Sequence, residues 1–427
     1  MIAYKVKGGK CLHGTVNTEG AKNALLPEIA GSILTDDVCF LENIPKLTDT
    51  ENMLAAAKYI GASYEKDAAG RMLRIKTEKI KNIELPYELA GRLRASFLFA
   101  GAVLARTGFV RIAMPGGCDI GLRPIDLHLK GFSAMGAEVL KDGGYVSLSA
   151  AEGLRGGEIY LDFPSVGATE NIMIAATLAD GKTVIKNAAA EPEIEDLAEF
   201  LQRMGADIKG AGTDNIEISG KKKLYGAIHS VMPDRIEAGT FMTACGITGG
   251  DILIQNIIPV HMKPVTAKLR EAGIVVIENE NSIRVISNGR GSIVPIDIRT
   301  LPYPGFPTDM QAQMASLLTQ ASGTSLITET VFENRFRYVG ELSRLGAVIR
   351  LNERTAVING LGKDGNIYLT GTETEATDLR GGAALVIAAL AAKGETTVTN
   401  ASHIERGYQD FAGKLSRLGA EIARLDC

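Results

Sequence analysis

SRLGAVIR at residues 343–350 returns almost unchanged as SRLGAEIA at 416–423. In both, a helix-forming run meets a Gly-Ala pair and passes into apolar residues. Glycine tolerates the left-handed backbone that closes a helix, so the phrase reads as helix end, turn and strand start. Working outward, it recurs as YIGASYE (59–65), SAMGAEVL (133–140), QRMGADIK (202–209) and REAGIVVI (270–277). The glycines, Gly61, Gly136, Gly205, Gly273, Gly346 and Gly419, lie 68 to 75 residues apart. A period of this kind along the whole chain decides the fold before any single motif does.

A second feature keeps the same step. Ala/Leu-rich segments with polar starts, such as EGAKNALLPEIAGSIL, SVGATENIMIAATLA and TDLRGGAALVIAALAA, recur with markers Lys22, Arg94, Gly167, Ala238, Asp309 and Arg380, 71 to 73 residues apart. Helices apolar on nearly every side are buried ones. Each unit therefore reads strand, buried helix, strand, loop, outer helix, Gly-Ala, strand, with about four strands and two helices. A chain of 427 residues exceeds one simple core. An open solenoid usually repeats every 20–50 residues or so, so closed α/β domains are expected instead. The expected division is three repeats in 19–231 and three in 1–18 plus 232–427, with a hinge near Tyr225 to Pro233. The N-terminal strand near Tyr4 to Thr18 is expected to complete the last copy's domain.

Composition narrows the function. Hydrophobic residues make up 45% and charged residues 22%, with a net charge of −4, so there is no basic field for tracking nucleic acid. Five scattered cysteines without a CxxC pair argue against a disulfide framework or a zinc site and fit a reducing cytoplasm. No apolar run approaches the roughly 20 residues that cross a bilayer, so no membrane insertion is expected. Oligomeric state is left open.

Chemistry concentrates in MPGGCDIGLRPIDLH, Met114 to His128. A glycine-hinged thiol, Cys118, beside Arg123 suits an anionic substrate better than it suits a core. Equivalent loops and helix starts along the six repeats supply Lys22, Asn23, Arg94, Ser165, Gly167, Asp309, Arg335, Asp378, Arg380, His128, His261, His403 and Arg406. Helix N-termini add N–H groups and positive potential, so phosphates and carboxylates are the expected ligands. Lysine is electrostatically misplaced in a first helical turn, which favours function for Lys22. Asp309 reads equally as a first-turn acid or a base. Arg94 and Arg380 read equally as solvated helix ends, and Arg335 and Arg406 as surface partners of Glu333 and Glu405. His13 and His229 read as strand residues with no special claim.

Ten motifs in order carry a resemblance to a known family. They are GAKNALLP from Gly20, NIPKLTD from Asn43, PGGCDIGLRPIDLH from Pro115, SVGAT from Ser165, EPEI from Glu191, PDRIEAGTF from Pro233, FPTDMQAQ from Phe306, TETVFENRF from Thr328, TDLR from Thr377 and HIERGY from His403. Together they resemble the UDP-N-acetylglucosamine 1-carboxyvinyltransferase family, the enolpyruvyl transferases that open bacterial peptidoglycan synthesis. The resemblance implies a two-domain inside-out α/β prism of EPSP synthase-like type, with six βαβαββ-type repeats, three per domain, and a site in the cleft between the domains. It implies transfer of the enolpyruvyl group of phosphoenolpyruvate to the 3-hydroxyl of UDP-N-acetylglucosamine, through a tetrahedral ketal, with release of phosphate and no metal or organic cofactor.

By the same resemblance, Cys118 matches the proton donor and the target of the epoxide phosphonate fosfomycin, and Asp309 the carboxylate set against the sugar hydroxyl. Lys22, Arg123 and Arg406 match the cations that hold phosphoenolpyruvate. Asn23, Arg94, the run Arg123, Pro124, Ile125, Asp126 and Leu127, then Ser165, Val166, Gly167, Val331, Arg335 and Asp378 fall to substrate binding. Some family members carry Lys-Val before Ser-Val-Gly, where this chain has Phe163-Pro164, so backbone N–H groups must serve the diphosphate there. Asp119 after the cysteine is a second departure, expected to tune the thiol upward. The shikimate-type enolpyruvyl transferase is the nearest rival, disfavoured by GAKN and Cys118. A silent UDP-sugar-binding paralogue would lose the chemical residues that this chain keeps.

Overall fold

The computed structural model describes residues 2–115, 125–363 and 368–426. These residues form six four-stranded mixed sheets with one plan. In the third repeat, Glu158–Tyr160 pairs parallel with Lys182–Lys186 across the inner helix Val166–Ala176. The outer helix Pro192–Arg203 then leads to Asp207–Lys209 and Asn215–Ser219, both antiparallel. The order is βαβαββ, and the other five sheets share it once chain exchanges at the ends are followed.

Those exchanges revise the reading of the ends. Residues 4–18 are two strands in two sheets, not one. Ile2–Lys7 is the last strand of the sixth sheet, between Glu395–Thr399 and Glu421–Asp426. Leu12–Asn17 is the first strand of the fourth, parallel to Gly250–Gln255. The expected hinge holds a strand of its own: Ile228–Ser230 pairs with Val38–Glu42 and completes the first sheet.

All six predicted glycines have positive φ, from 85° to 133°. At each, the next residue's N–H donates to a carbonyl one turn back, as Ala62 does to Ala57 (2.9 Å) and Ala347 to Leu342 (3.1 Å). The helix end is thereby closed and the chain turned into its strand.

Two compact units divide the chain, one holding residues 20–115 and 125–232, the other 2–19 and 233–426. Each has its own apolar core. Within each, the three inner helices pack on one another: Lys22–Gly31, Phe99–Thr107 and Val166–Ala176 in the first, Arg235–Thr248, Gln311–Leu318 and Leu379–Ala391 in the second. Alanine and glycine permit the close approach. A Cβ on Gly101 would fall 2.4 Å from the Asn171 side chain, whose Oδ1 accepts the Gly101 N–H. No helix among the described residues is long and apolar enough to cross a membrane.

Candidate active site

The six inner helices start in two ways. Ser165, Asp234 and Asp378 cap theirs, each side chain accepting from backbone N–H groups of the first turn. The other three lack a side-chain cap and open near charged residues: Lys22 directly, and Arg94 and Asp309 through short 3₁₀ turns. A cap contributes about 1 kcal/mol, so leaving it out frees those starts for other work.

Asp309 is the most heavily engaged of the sequence candidates. Its Oδ1 accepts from Arg335 Nη2 at 2.8 Å, and its Oδ2 from Arg380 Nη2 at 3.1 Å and Nε at 3.3 Å. Both arginines are buried, Arg335 4% and Arg380 3% exposed, while the Asp309 side chain keeps 28%. Arg380 is therefore no solvated helix end. Arg335 is no surface partner of Glu333 either, since Glu333 pairs with Arg354 at 3.1 Å. Burial works against the Arg380 charge, and Tyr408, Asp309 and Asp234 more than offset it, holding the guanidinium protonated. Its face lies 5.1 Å from the centre of the Tyr408 ring, and Arg380 Nη1 is buried without an acceptor among the described residues. Two guanidiniums fix both oxygens of one carboxylate, and the buried Nη1 of Arg380 keeps a donor for a ligand.

Lys22 is buried and donates to Asp49 Oδ2 at 3.0 Å. Asp49, in the first turn of the outer helix Thr48–Ile60 and 1% exposed, escaped the sequence reading because an acid in a first turn looks ordinary. Asn23 beside Lys22 is exposed, and Arg94 is half-buried. Ser165 spends its Oγ on the Ala168 N–H. Gly167 follows, and a Cβ there would sit 3.3 Å from the His128 ring, so glycine lets that ring lie against the helix start. His128 belongs to the outer helix Asp126–Ala134, not to a loop, and is buried against Phe97 with Nδ1 3.1 Å from Asn171 Nδ2. Ile125 is a core residue, Leu127 is half-buried and exposed Asp126 pairs with Lys141.

Asp378 Oδ1 accepts from the backbone N–H groups of Arg380 and Gly381. Val331 donates its N–H to Glu329. Arg406 ends the 3₁₀ turn Ala401–Arg406, half-buried, while neighbouring Glu405 engages Tyr4 and Arg424. Cys118, Asp119, Arg123 and Pro124 lie outside the described residues. The structure thus brings Asp309, Arg335 and Arg380 together in one unit. In the other it brings together His128 with Gly167, and Lys22 with Asp49.

His229 corrects the sequence reading most sharply. It is 2% exposed, with Nε2 3.1 Å from Asp196 Oδ1 and 3.4 Å from Glu28 Oε1. Burial opposes its charge, but the two carboxylates prevail and lift its pKa to about 10. A glutamate inside the apolar run LLPEIAGSIL was the available signal.

The chain was compared with known proteins. The family model described as EPSP synthase (3-phosphoshikimate 1-carboxyvinyltransferase) matches residues 6–415. The chain is 55% identical over 421 residues to UDP-N-acetylglucosamine 1-carboxyvinyltransferase 1 of Caldanaerobacter subterraneus subsp. tengcongensis, covering 99% of each. It is 52% identical to UDP-N-acetylglucosamine 1-carboxyvinyltransferase 2 of Carboxydothermus hydrogenoformans, covering 100% of each. Among solved structures, the enolpyruvyl transferase NikO from Streptomyces tendae superposes with a TM-score of 0.90 at 26% identity, over 100% of this chain and 99% of that one. EPSP synthase from Acinetobacter baumannii gives 0.76 at 21% identity over all of both chains, a likeness of fold. The six-repeat plan and these full-length matches agree: the chain belongs to the EPSP synthase family and, within it, to the UDP-N-acetylglucosamine 1-carboxyvinyltransferases.

Proposed function

We propose that the protein transfers the enolpyruvyl group of phosphoenolpyruvate to the 3-hydroxyl of UDP-N-acetylglucosamine and releases phosphate, the committed entry to peptidoglycan. The observation that carries this reading is Asp309 held between two buried guanidiniums with an N–H of Arg380 unanswered. In the addition step the sugar oxygen bonds to C2 of phosphoenolpyruvate, its proton passes to a base, and C3 gains a proton. In the elimination step C3 returns a proton and the C2–O bond to phosphate breaks.

Asp309 is the carboxylate that accepts from the sugar hydroxyl, with Arg335 and Arg380 fixing its oxygens in place. Cys118 delivers the proton to C3. Lys22, Arg123 and Arg406 hold the phosphate and carboxylate of the donor, where preformed charges act without reorganisation. Asn23, Arg94, Arg123 to Leu127, Ser165 to Gly167, Val331, Arg335 and Asp378 serve the nucleotide sugar. Free thiols at Cys11, Cys39 and Cys245 support a reducing compartment, the cytoplasm.

Phosphate release from phosphoenolpyruvate tests the assignment, with each acceptor supplied in turn. UDP-N-acetylglucosamine should support turnover. Faster release with shikimate 3-phosphate would give the reaction to the rival acceptor, and no release with either would make the protein a silent binder. Fosfomycin should add one equivalent to Cys118, and Cys118→Asp should escape. Labelling of Cys11, Cys39, Cys245 or Cys427 instead would remove Cys118 from the mechanism.

A further inference from the structure

Glu28, Asp196 and His229 take no part in the reaction just described, yet they form a compact group of donor atoms deep in one unit. Glu28 lies on the inner helix Lys22–Gly31, Asp196 on the outer helix Pro192–Arg203, and His229 on the strand Ile228–Ser230. We propose that these three side chains bind one divalent transition-metal ion of the zinc class.

Geometry is the first support. One donor atom from each residue lies within 4.8 Å of the others, and His229 Nε2 is 3.1 Å from Asp196 Oδ1 and 3.4 Å from Glu28 Oε1. Zinc binds imidazole nitrogen and carboxylate oxygen at about 2.0–2.2 Å, so tetrahedral ligand atoms stand roughly 3.3–3.5 Å apart. Two edges of the tetrahedron are therefore nearly in place.

Charge and hydrogen bonding are the second. Glu28 is 0% exposed, and neither of its oxygens has a hydrogen-bond partner among the described residues. Burial leaves these lone pairs without a close donor, His229 Nε2 standing 3.4 Å from Oε1. A bound cation would take them up. Asp196 is already oriented: its Oδ2 accepts the Met232 N–H at 3.0 Å, leaving Oδ1 toward His229. Such outer support orients a metal ligand. Phe200, its ring 5.7 Å from the imidazole, contributes an apolar wall. A mixed nitrogen and oxygen set of three suits zinc, whereas calcium takes six to eight oxygens and magnesium keeps several waters.

The consequence is structural. A metal here ties Ile228–Ser230, the strand that completes the first sheet, to an inner and an outer helix of the same unit. Binding to the folded form alone would raise stability in proportion to the logarithm of free metal.

The test uses the full chain stripped with EDTA, titrated with Zn2+ by calorimetry, and scanned for Tm with and without the metal. One equivalent should bind and raise Tm. Glu28→Gln and His229→Gln should each lose it, and Cys118→Ser should retain it. Substoichiometric binding, binding that survives both of the first two substitutions, or binding lost in Cys118→Ser overturns the proposal. Co2+ added to the unsubstituted protein decides the matter even if those variants fail to fold. Intense tetrahedral ligand-field bands support the site, and a weak octahedral spectrum overturns it.

Discussion

Two buried triads of charge, one in each unit, are near opposites. Arg335 and Arg380 enclose Asp309, two cations to one anion. Glu28 and Asp196 face His229, two carboxyl groups to one imidazole. The first keeps a partly exposed member, Asp309, and an unanswered N–H. The second is closed to solvent and keeps unanswered oxygens. Low-dielectric surroundings penalise unmet polar atoms, and exposure separates a group that meets substrate from one that holds the fold.

The contrast breaks most visibly at Asp309. Asp309→Ala is expected to lower kcat by about two to four orders of magnitude, as loss of a general base does, while UDP-N-acetylglucosamine affinity by calorimetry changes little. Equal loss of both would make Asp309 a strut for the arginines and erase its difference from the other triad.

The buried Lys22–Asp49 pair is the intermediate case. Lys22→Met removes the cation from a buried ion pair and should cost about 3–5 kcal/mol in urea unfolding. Lys22→Met combined with Asp49→Leu should recover most of that stability without recovering turnover. If turnover returned as well, Lys22 would be structural.

Glu237 offers the smallest effect. Burial raises its pKa to about 7, against the lowering influence of Lys414 at 2.7 Å. An acid whose folded pKa lies above its unfolded value stabilises the fold below the unfolded pKa and loses that contribution as pH rises through the folded one. Chemical unfolding should therefore show wild-type stability falling between pH 4.5 and 7, and Glu237→Gln should flatten that slope. An unchanged slope would assign it to other groups.

The fold was legible because the turn chemistry repeats: six glycines at one step of the chain mark six helix ends, and all adopt the positive φ that the phrase requires. The N-terminal exchange was legible in outline, but that at the hinge was not, since Ile228–Ser230 looks like any short linker until its partner Val38–Glu42 is known. Asp309 and Lys22 stood out as charges at starts of apolar helices. Arg335 and Arg380 were read as ambiguous because a charge's burial depends on what faces it, and Asp309 faces Arg380 from 71 positions away. Glu28 and His229 belong to the same class, separated by about two hundred residues of chain and joined only by packing.

The strand exchange also has a consequence for synthesis. Ile2–Lys7 finds its sheet neighbours only when Glu395–Thr399 and Glu421–Asp426, made some four hundred residues later, have followed. Leu12–Asn17 likewise waits for Gly250–Gln255. The unit formed by residues 20–232 needs nothing made after it and can close first, while the N-terminal strands stay unpaired through most of translation. Newly made chains are thus most exposed to edge-to-edge association at these two strands, and the glycines and lysines of KVKGGK, Lys5 to Lys10, are the kind of sequence that keeps such a waiting edge soluble.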